Sequence, residues 1–289
     1  MLSIIILTLN SRRFIEKCLA SIYSQYCSGF EVIIVDNGST DDMAEFIKGR
    51  YPEVVLIKNK RNLGAASARN QGIDAAKGEW IISLDCDIIL GGQFLALSSE
   101  IIRTLPVKTG LLQAKILYAD KKTIFSAGIK STRLWRFYDI GKGEPDGAGF
   151  NRPAQVFGVC SAASFYKREM LNEIKDHNGY FDERLFFLFE DVDLSWRAKE
   201  KGWDAQYYPA LECYHYGNSS LTPKDVRQYY CWRNRRLILN KHKKGVFKKL
   251  LTLFCYDLPR AIWIIIVNPY ARKNMNIFTS VNKRKDGSL

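Results

Sequence analysis

The chain has 289 residues, of which 47% are hydrophobic and 25% are charged. This composition is typical of a globular protein and excludes a largely disordered or repetitive one, and the length fits one α/β domain with an additional segment. Lys and Arg number 43 against 30 Asp and Glu, so the formal net charge is +13, which indicates an anionic partner such as nucleic acid, an acidic lipid surface or a phosphorylated substrate.

The cysteines and the N-terminus bear on the cellular compartment. Seven cysteines form no CxxC pair and are odd in number, which favours a reducing environment over a disulfide framework. The chain enters an apolar β-like run at residues 2–7, without the basic region and cleavage site of a signal peptide. We therefore expect a cytoplasmic protein.

Short β-branched runs alternate with helical patterns over the first hundred residues. Strands are predicted at residues 3–7, 31–35, 54–58 and 80–84, and the first intervening helix at residues 14–24. This alternation predicts βαβ units and a mainly parallel sheet. A polar loop follows each strand, and ligands of open α/β sheets bind beyond the carboxyl ends of the strands.

The pattern is less regular after residue 109. β-like pieces are predicted at residues 111–118 and 123–129, strands at 158–166 and 205–208, and a helix at 192–201. The chain contains neither G-x-G-x-x-G after its first strand nor G-x-x-x-x-G-K-[ST]. A dinucleotide dehydrogenase or a P-loop NTPase is therefore disfavoured.

The chain changes character beyond residue 222. Residues 246–267 are strongly apolar, but Pro259 and several charged side chains interrupt them, and the longest clean run, residues 261–267, is shorter than the ~20 residues of a spanning helix. We predict an amphipathic segment on an anionic membrane surface, with a helix packed on the body as the alternative. The basic clusters in this part comprise Arg233, Arg235, Arg236, Lys241, Lys243, Lys244, Lys248, Lys249, Lys283, Arg284 and Lys285.

Two carboxylates follow the fourth predicted strand. Asp85 and Asp87 flank one apolar residue, so their oxygens can converge on a hard cation at the strand end. Mg²⁺ or Mn²⁺ suits such a site, because it would be shared with substrate phosphates and would neutralise a diphosphate leaving group. A D-x-D sequence also occurs in solvated turns, so its position after a strand carries the prediction.

A carboxylate also ends the second predicted strand. Asp36 either caps the next helix or accepts a hydrogen bond from a pyrimidine N–H, and we predict the second role, which would select a uracil or thymine nucleotide. Arg69 follows the loop Asn62-Leu63-Gly64 on a helix, so its planar guanidinium is expected to reach the nucleotide or a phosphate. Gly64 would allow a close approach to that ligand.

Together these motifs resemble the inverting glycosyltransferases of family two, and most closely their rhamnosyltransferase-like subgroup. The resemblance implies the GT-A fold, an α/β architecture with a mainly parallel Rossmann-like sheet flanked by helices. It assigns residues 1–221 to the glycosyltransferase domain, with a nucleotide-binding half (1–90) and an acceptor half (91–221), and leaves residues 222–289 as a basic, apolar helical tail. The motifs are Thr8-Leu9-Asn10, Val35-Asp36-Asn37-Gly38-Ser39-Thr40-Asp41, Asn62-Leu63-Gly64, Ala68-Arg69-Asn70-Gln71-Gly72, Asp85-Cys86-Asp87, Phe189-Glu190-Asp191-Val192-Asp193-Leu194-Ser195-Trp196-Arg197 and His215-Tyr216-Gly217.

The resemblance also implies roles for individual residues. Asp36 matches the family's base contact, Asp85 its ribose or metal contact, and Asp87 its metal ligand. His215 would add a metal ligand, although a lone histidine is more often a surface or core residue. Asp191 matches the catalytic base and Glu190 a positioning or acceptor-binding group, and both acids also suit a helix N-terminus. The remaining residues of the predicted nucleotide-sugar site are Thr8, Asn10, Asn62, Gly64 and Arg69.

The function expected from this resemblance is transfer of a sugar from a UDP- or dTDP-sugar to a glycan or lipid-linked acceptor in cell-surface polysaccharide biosynthesis. The subgroup implies L-rhamnose, but galactofuranose and hexose transferases share these motifs. The enzyme would be peripheral on the inner face of the cell membrane. A noncatalytic nucleotide-sugar-binding homologue and a basic nucleic-acid-binding protein are the alternatives, and the strand-end acids disfavour nucleic acid because they repel phosphates.

Overall fold

The computed structural model describes residues 1–217, 222–242 and 250–274. The strands are β1 (Leu2–Thr8), β2 (Phe30–Asp36), β3 (Val55–Lys58), β4 (Trp80–Asp85), β5 (Ile88–Leu90), β6 (Thr109–Tyr118), β7 (Ile124–Ser126), β8 (Ile129–Ser131), β9 (Phe137–Asp139), β10 (Ala154–Val156), β11 (Ala163–Lys167) and β12 (Asp204–His215). The helices are α1 (Arg12–Tyr23), α2 (Met43–Arg50), α3 (Ala65–Ala75), α4 (Phe94–Thr104), α5 (Arg168–Ile174), α6 (Glu190–Glu200), α7 (Lys224–His242), α8 (Leu258–Val267) and α9 (Pro269–Asn274). A π-helical stretch, Leu253–Asp257, precedes α8.

One mixed sheet runs through the molecule in the order β10-β12-β6-β11-β4-β1-β2-β3, with β5 and β7 on β12 and β6. The neighbours β3, β2, β1 and β4 are parallel, as are β6 and β12, whereas β11 is antiparallel to both β4 and β6. The predicted mainly parallel sheet flanked by helices is therefore confirmed. Thr8 pairs with Asp36 and Leu7 with Asp85, so the polar strand ends lie at one edge.

The core occupies both faces of this sheet. Successive residues of β1 point into opposite layers, so Ile4 and Ile6 belong to one apolar cluster and Ile5 to the other. Strands that are buried on both faces need continuous apolar runs and not alternating ones. This requirement explains the unbroken run of isoleucines in β1.

Three predicted elements in the second half of the domain have different bounds in the structure. The strand predicted at residues 158–166 begins at Ala163, and Gly158 instead forms an isolated β-bridge with Ile129. The helix predicted from residue 192 begins at Glu190. The strand predicted to end at residue 208 continues past a register shift to His215, which carries that histidine to the sheet edge.

The C-terminal segment packs partly on the body. Ile238 and Leu239 of α7 join an apolar cluster with Val192 and Trp196 of α6. The 18 residues Leu250–Val267 form one helix that is long and apolar enough to cross a membrane by length and composition, and only 11% of it is buried. The predicted basic residues 243–249 and 283–285 lie outside the described residues.

Candidate active site

Three potential metal ligands meet at the polar edge of the sheet. Asp85 ends β4, Asp87 lies in the turn before β5, and His215 ends β12, which pairs with β5. One ligand atom from each residue lies within 4.8 Å of the other two, and Nε2 of His215 is 3.1 Å from Oδ1 of Asp87. The structure therefore brings together the three residues predicted to hold the ion.

The electrostatics of these three side chains fit a divalent cation. Burial raises the pKa of Asp85, Arg69 opposes this rise, and the charge of Asp87 adds to it. Burial lowers the pKa of His215, but the hydrogen bond and charge of Asp87 outweigh burial and leave that pKa raised. A cation among these groups would relieve the repulsion between the carboxylates. Carboxylate oxygens such as those of Asp85 and Asp87 suit Mg²⁺ and Mn²⁺.

Arg69 connects this cluster to the predicted acid pair. Its Nη2 donates to Oδ1 of Asp85 at 3.1 Å and its Nη1 to Oε1 of Glu190 at 2.6 Å, while Nε donates to the Ser83 hydroxyl at 3.2 Å. Arg69 is only 5% exposed. We predicted a nucleotide contact for Arg69, but the structure gives its guanidinium these protein partners. Hydrogen bonds between a guanidinium and a carboxylate are strong and depend on their geometry. Arg69 therefore fixes the positions of Asp85 and Glu190 relative to each other.

Asp191 follows Glu190 in the first turn of α6. Its Oδ1 accepts a hydrogen bond from the Val192 amide at 2.8 Å, and its Oδ2 one from the Ser161 amide at 3.4 Å. Burial, followed by the negative charges of Glu190 and Asp139, raises the pKa of Asp191 to about 7, although Arg69 lowers it. A half-buried carboxylate with this pKa can take a proton near neutral pH.

Asp193 lies two residues further along the same helix, and its pKa is shifted in the opposite direction. Its carboxylate contacts Nε of Arg197 at 2.8 Å, Nζ of Lys241 at 3.2 Å and Nε2 of His242 at 2.9 Å. Burial opposes its ionisation, but the hydrogen bond from His242 and the two cationic neighbours hold the pKa of Asp193 far below its usual range. This residue therefore joins α6 to α7 through Lys241 and His242.

The predicted nucleotide-binding residues lie in the loops after β1 and β2. Oδ1 of the buried Asp36 accepts a hydrogen bond from the Ser39 amide at 2.8 Å. Asn10 joins the two loops, because its Oδ1 accepts from the Thr40 amide at 2.8 Å and its own amide donates to the Ser39 hydroxyl at 2.9 Å. The Thr8 hydroxyl donates to the carbonyl of Val35 at 3.3 Å and is buried, so it ties β1 to β2.

Sequence reasoning gave no role to Asn37, which organises the neighbouring loop. Its Nδ2 donates to Oδ1 of Asn62 at 2.9 Å, and its Oδ1 accepts from the Leu63 amide at 3.0 Å. Gly64 has φ +88°, and a Cβ on it would lie 2.5 Å from the ring of Phe186. Close packing against Phe186, and not access for a ligand, therefore explains this glycine. The position of Asn37 directly after a strand-end aspartate was the available signal.

A small cavity of about 140 Å³ adjoins the metal-ligand cluster. Its lining includes Asp87, Tyr216 and the basic residues Arg13 and Lys17 of α1, which sequence reasoning also missed. A larger cavity of about 600 Å³ is lined by residues such as Trp135 and Trp196, and the predicted site residues are not part of that lining. The cavity at Asp87 thus combines acidic and basic groups beside the metal-ligand cluster.

The mostly parallel sheet flanked by helices is the fold of the GT-A glycosyltransferases, as solved structures show. The mannosyltransferase PcManGT from Pyrobaculum calidifontis, in complex with GDP-Man and Mn²⁺, has a TM-score of 0.57 at 17% identity, covering 96% of this chain and 76% of that one. S. aureus TarS in complex with UDP-GlcNAc has a TM-score of 0.54 at 18% identity, covering 95% and 76%. At these identities the likeness concerns the fold.

The family follows from the sequence itself. The profile "Glycosyl transferase family 2" matches residues 3–97, and "Glycosyl transferase family group 2" matches residues 80–270. The chain belongs to the family 2 glycosyltransferases. The PGL/p-HBAD biosynthesis glycosyltransferase of Mycobacterium tuberculosis is 40% identical over 90 residues, which are 30% of this chain and 35% of that relative. The match therefore spans about a third of the length of this curated relative.

Proposed function

We propose that this glycosyltransferase is inverting and metal-dependent, and that it transfers a sugar from a UDP- or dTDP-sugar to a glycan or lipid-linked acceptor. The resemblance to the rhamnosyltransferase-like subgroup favours L-rhamnose as the sugar and cell-surface polysaccharide assembly as the process. The similar structures that carry GDP-Man and UDP-GlcNAc support a nucleoside-diphosphate sugar as the donor class.

One contact carries this proposal, namely the Arg69 guanidinium shared by Asp85 and Glu190. Arg69 joins the metal-ligand cluster, which would hold the donor diphosphate, to the acid pair Glu190 and Asp191, which would activate the acceptor. The two sets of residues are therefore adjacent. Direct displacement at an anomeric carbon needs the leaving group and the base on opposite sides of one sugar. A shared guanidinium fixes the two halves of such a site.

The chain's own residues then supply the acid–base chemistry. Asp191 takes the proton of the acceptor hydroxyl as that oxygen forms a bond to the anomeric carbon and the bond to the diphosphate breaks. No covalent sugar–enzyme intermediate is needed, so one base is sufficient. A divalent ion held by Asp85, Asp87 and His215 would stabilise the charge of the departing diphosphate. Arg13 and Lys17 beside Asp87 favour an anionic ligand in the same place.

The first experiment measures donor binding by calorimetry with a panel of UDP-, dTDP- and GDP-sugars. Each sugar is tested with Mn²⁺, with Mg²⁺ and with EDTA. We expect one uridine or thymidine diphosphate sugar to bind, and we expect EDTA to abolish most of the affinity. A folded protein that binds no member of the panel would contradict the donor assignment.

The second experiment assigns the acids with matched variants. Asp87→Ala should lose metal-dependent donor binding, whereas Asp191→Ala should keep donor binding and lose transfer. Asp74→Ala is the control, because Asp74 is exposed and forms an ion pair with the exposed Lys175 at 3.3 Å. Retained transfer in both Asp87→Ala and Asp191→Ala would overturn the mechanism. Donor binding without transfer in the wild type, with a range of acceptors, would favour the noncatalytic alternative.

We also propose that the enzyme docks on a membrane through the helix Leu250–Val267. Its outward side chains include Phe254, Ile262 and Ile266, which are 63%, 58% and 68% exposed. An apolar surface of this kind on a soluble body marks a partner or lipid contact. The helix packs on α7 with its other face, where Ala261 and Ile264 are buried.

The contacts at the two ends of α8, which forms the second half of this helix, favour a position in the plane of the membrane and not across it. Asp257 forms an ion pair with Arg235 of α7, and Nδ2 of Asn268 donates to the carbonyl of Asp225 at 2.7 Å. A helix held along α7 in this way can bury one face in the lipid interface while the body stays in water. Arg235 is thus internal, which corrects the prediction that it faces an anionic surface.

Vesicle co-sedimentation tests this docking. Full-length protein should bind phosphatidylcholine vesicles that contain phosphatidylglycerol, and Ile262→Glu with Ile266→Glu should reduce binding on the order of 10-fold. Val107→Glu is the matched control, since Val107 is 80% exposed outside this helix. Equal loss in the control, or full binding by the double variant, would contradict the proposal.

A further inference from the structure

The loop before the acid pair has an unusual backbone. Residues 185–189, here called the acid loop, lead directly into α6 and its first residues Glu190 and Asp191. L-residues seldom adopt positive φ, and such conformations persist only where surrounding contacts hold them. The positive φ values in the acid loop are 61° at Phe186, 67° at Leu188 and 71° at Phe189.

One side chain of the C-terminal segment holds this loop. Asn234 lies on α7 and is 0% exposed. Its Nδ2 donates to three carbonyl oxygens of the acid loop, those of Leu185 at 2.8 Å, Phe187 at 2.8 Å and Leu188 at 2.7 Å. An amide nitrogen has two hydrogens, so one of them is shared between two carbonyls. Oδ1 of Asn234 accepts from Nη1 of Arg233 at 2.7 Å, which fixes the direction of the amide.

The loop in turn sets the start of α6. The carbonyl of Phe189 accepts the Asp193 amide at 3.1 Å and so begins the helix, and the carbonyl of Phe186 accepts the Ala66 amide of α3 at 3.3 Å. The backbone of the acid loop therefore sets the positions of Glu190 and Asp191. This backbone is hydrogen-bonded to α3 on one side and to Asn234 on the other. No other side-chain amide in the described residues donates to the carbonyls of this loop.

We propose that Asn234 is a positioning residue for catalysis, and that the C-terminal segment is part of the active-site framework as well as a membrane contact. This inference rests on the proposed role of Asp191 as the base. Asn234 acts through the acid loop and touches neither donor nor acceptor in this role. Its effect should therefore be on the rate of the chemical step and not on donor affinity.

The test compares Asn234→Ala and Asn234→Asp with Asn240→Asp in the full chain. Asn240 is an exposed asparagine on the same helix, so it repeats the charge change away from the loop. Asn234→Asp keeps the shape of the side chain but loses its two N–H donors, and its carboxylate would face three carbonyl oxygens. We expect both Asn234 variants to lower kcat on the order of 10- to 100-fold with the donor KM changed less than about 2-fold, because a displaced base misaligns the reaction.

Two further measurements separate positioning from general destabilisation. Amide hydrogen exchange should quicken in residues 186–192 of Asn234→Ala while the strands β1 and β4 keep wild-type protection. Adding Leu188→Gly to Asn234→Ala should recover at least about 3-fold in kcat, because glycine adopts positive φ without strain. A uniform loss of protection, or wild-type kcat in folded Asn234→Ala, would overturn the inference.

The exchange measurement also keeps the two proposals distinguishable. If the wild type transfers no sugar, the proposed function fails, but faster exchange confined to residues 186–192 would still support positioning by Asn234. If the wild type is active and Asn234→Asp matches it in kcat and exchange, the positioning role fails and the proposed function stands.

Discussion

Replacing Asp191 by Asn should make the enzyme more stable at alkaline pH while removing its activity. The surroundings raise the pKa of Asp191 from 3.8 to about 7, with burial as the first cause and Glu190 and Asp139 as further ones. A carboxyl whose pKa is raised on folding stabilises the protein while it is protonated. That contribution is complete below pH 3.8 and is lost as the pH rises through 7.

The size of the expected stability change follows from the shift in the pKa of Asp191. A rise from 3.8 to about 7 corresponds to at most about 4 kcal/mol. Asp191 is half-buried, so solvent screening reduces this to roughly 1–2 kcal/mol. At roughly 2–4 °C per kcal/mol for a chain of this size, Asp191→Asn should raise the Tm by about 3–6 °C at pH 8.5 and by little at pH 4.5. Asparagine keeps the oxygen that accepts from the Val192 amide.

Thermal unfolding and transfer assays across pH check this prediction together. Loss of the base should lower kcat on the order of 10²- to 10⁴-fold. Asp193→Asn is the matched control with the opposite sign, because the depressed pKa of Asp193 stabilises the fold above its unfolded value of 3.8. The free energy of unfolding of Asp193→Asn should be lower than that of the wild type by about 3 kcal/mol or more. The reasoning is refuted if Asp191→Asn has the wild-type Tm or a lower one at pH 8.5.

Three further predictions concern the rest of the site. Arg69→Lys should lower kcat on the order of 10-fold, because one ammonium cannot repeat the forked contact with two acids, and unchanged kinetics would argue against the bridge. His215→Ala should weaken Mn²⁺ binding on the order of 10-fold or more in titration calorimetry, and unaltered affinity would remove it from the ligand set. Gly64→Ala should lower the free energy of unfolding by about 2 kcal/mol or more in denaturant, because the new Cβ would clash with Phe186 and the φ of residue 64 is +88°. An unchanged free energy of unfolding would show that the acid loop moves to accommodate the methyl group.

Much of the nucleotide half of the site could be predicted from sequence. Strands β1, β2 and β4 are short apolar runs that end in polar residues, and parallel strands place those ends at one edge of a sheet. The juxtaposition of Asp36 and Asp85 therefore needed only the strand pattern. Asp87 follows two residues later, so its place in the cluster was predicted with it.

The tertiary structure decided which distant groups these residues contact. Arg69 lies 121 residues from Glu190, and no local pattern indicates that its guanidinium joins the two halves of the site. His215 reaches the edge only because β12 continues past an irregularity. Hydrophobic period and turn residues are local signals, whereas an ion pair depends on how whole elements pack. The sequence by itself thus determined the strands and their acidic ends, while packing alone assigned Arg69 to the acids and Asn234 to the acid loop.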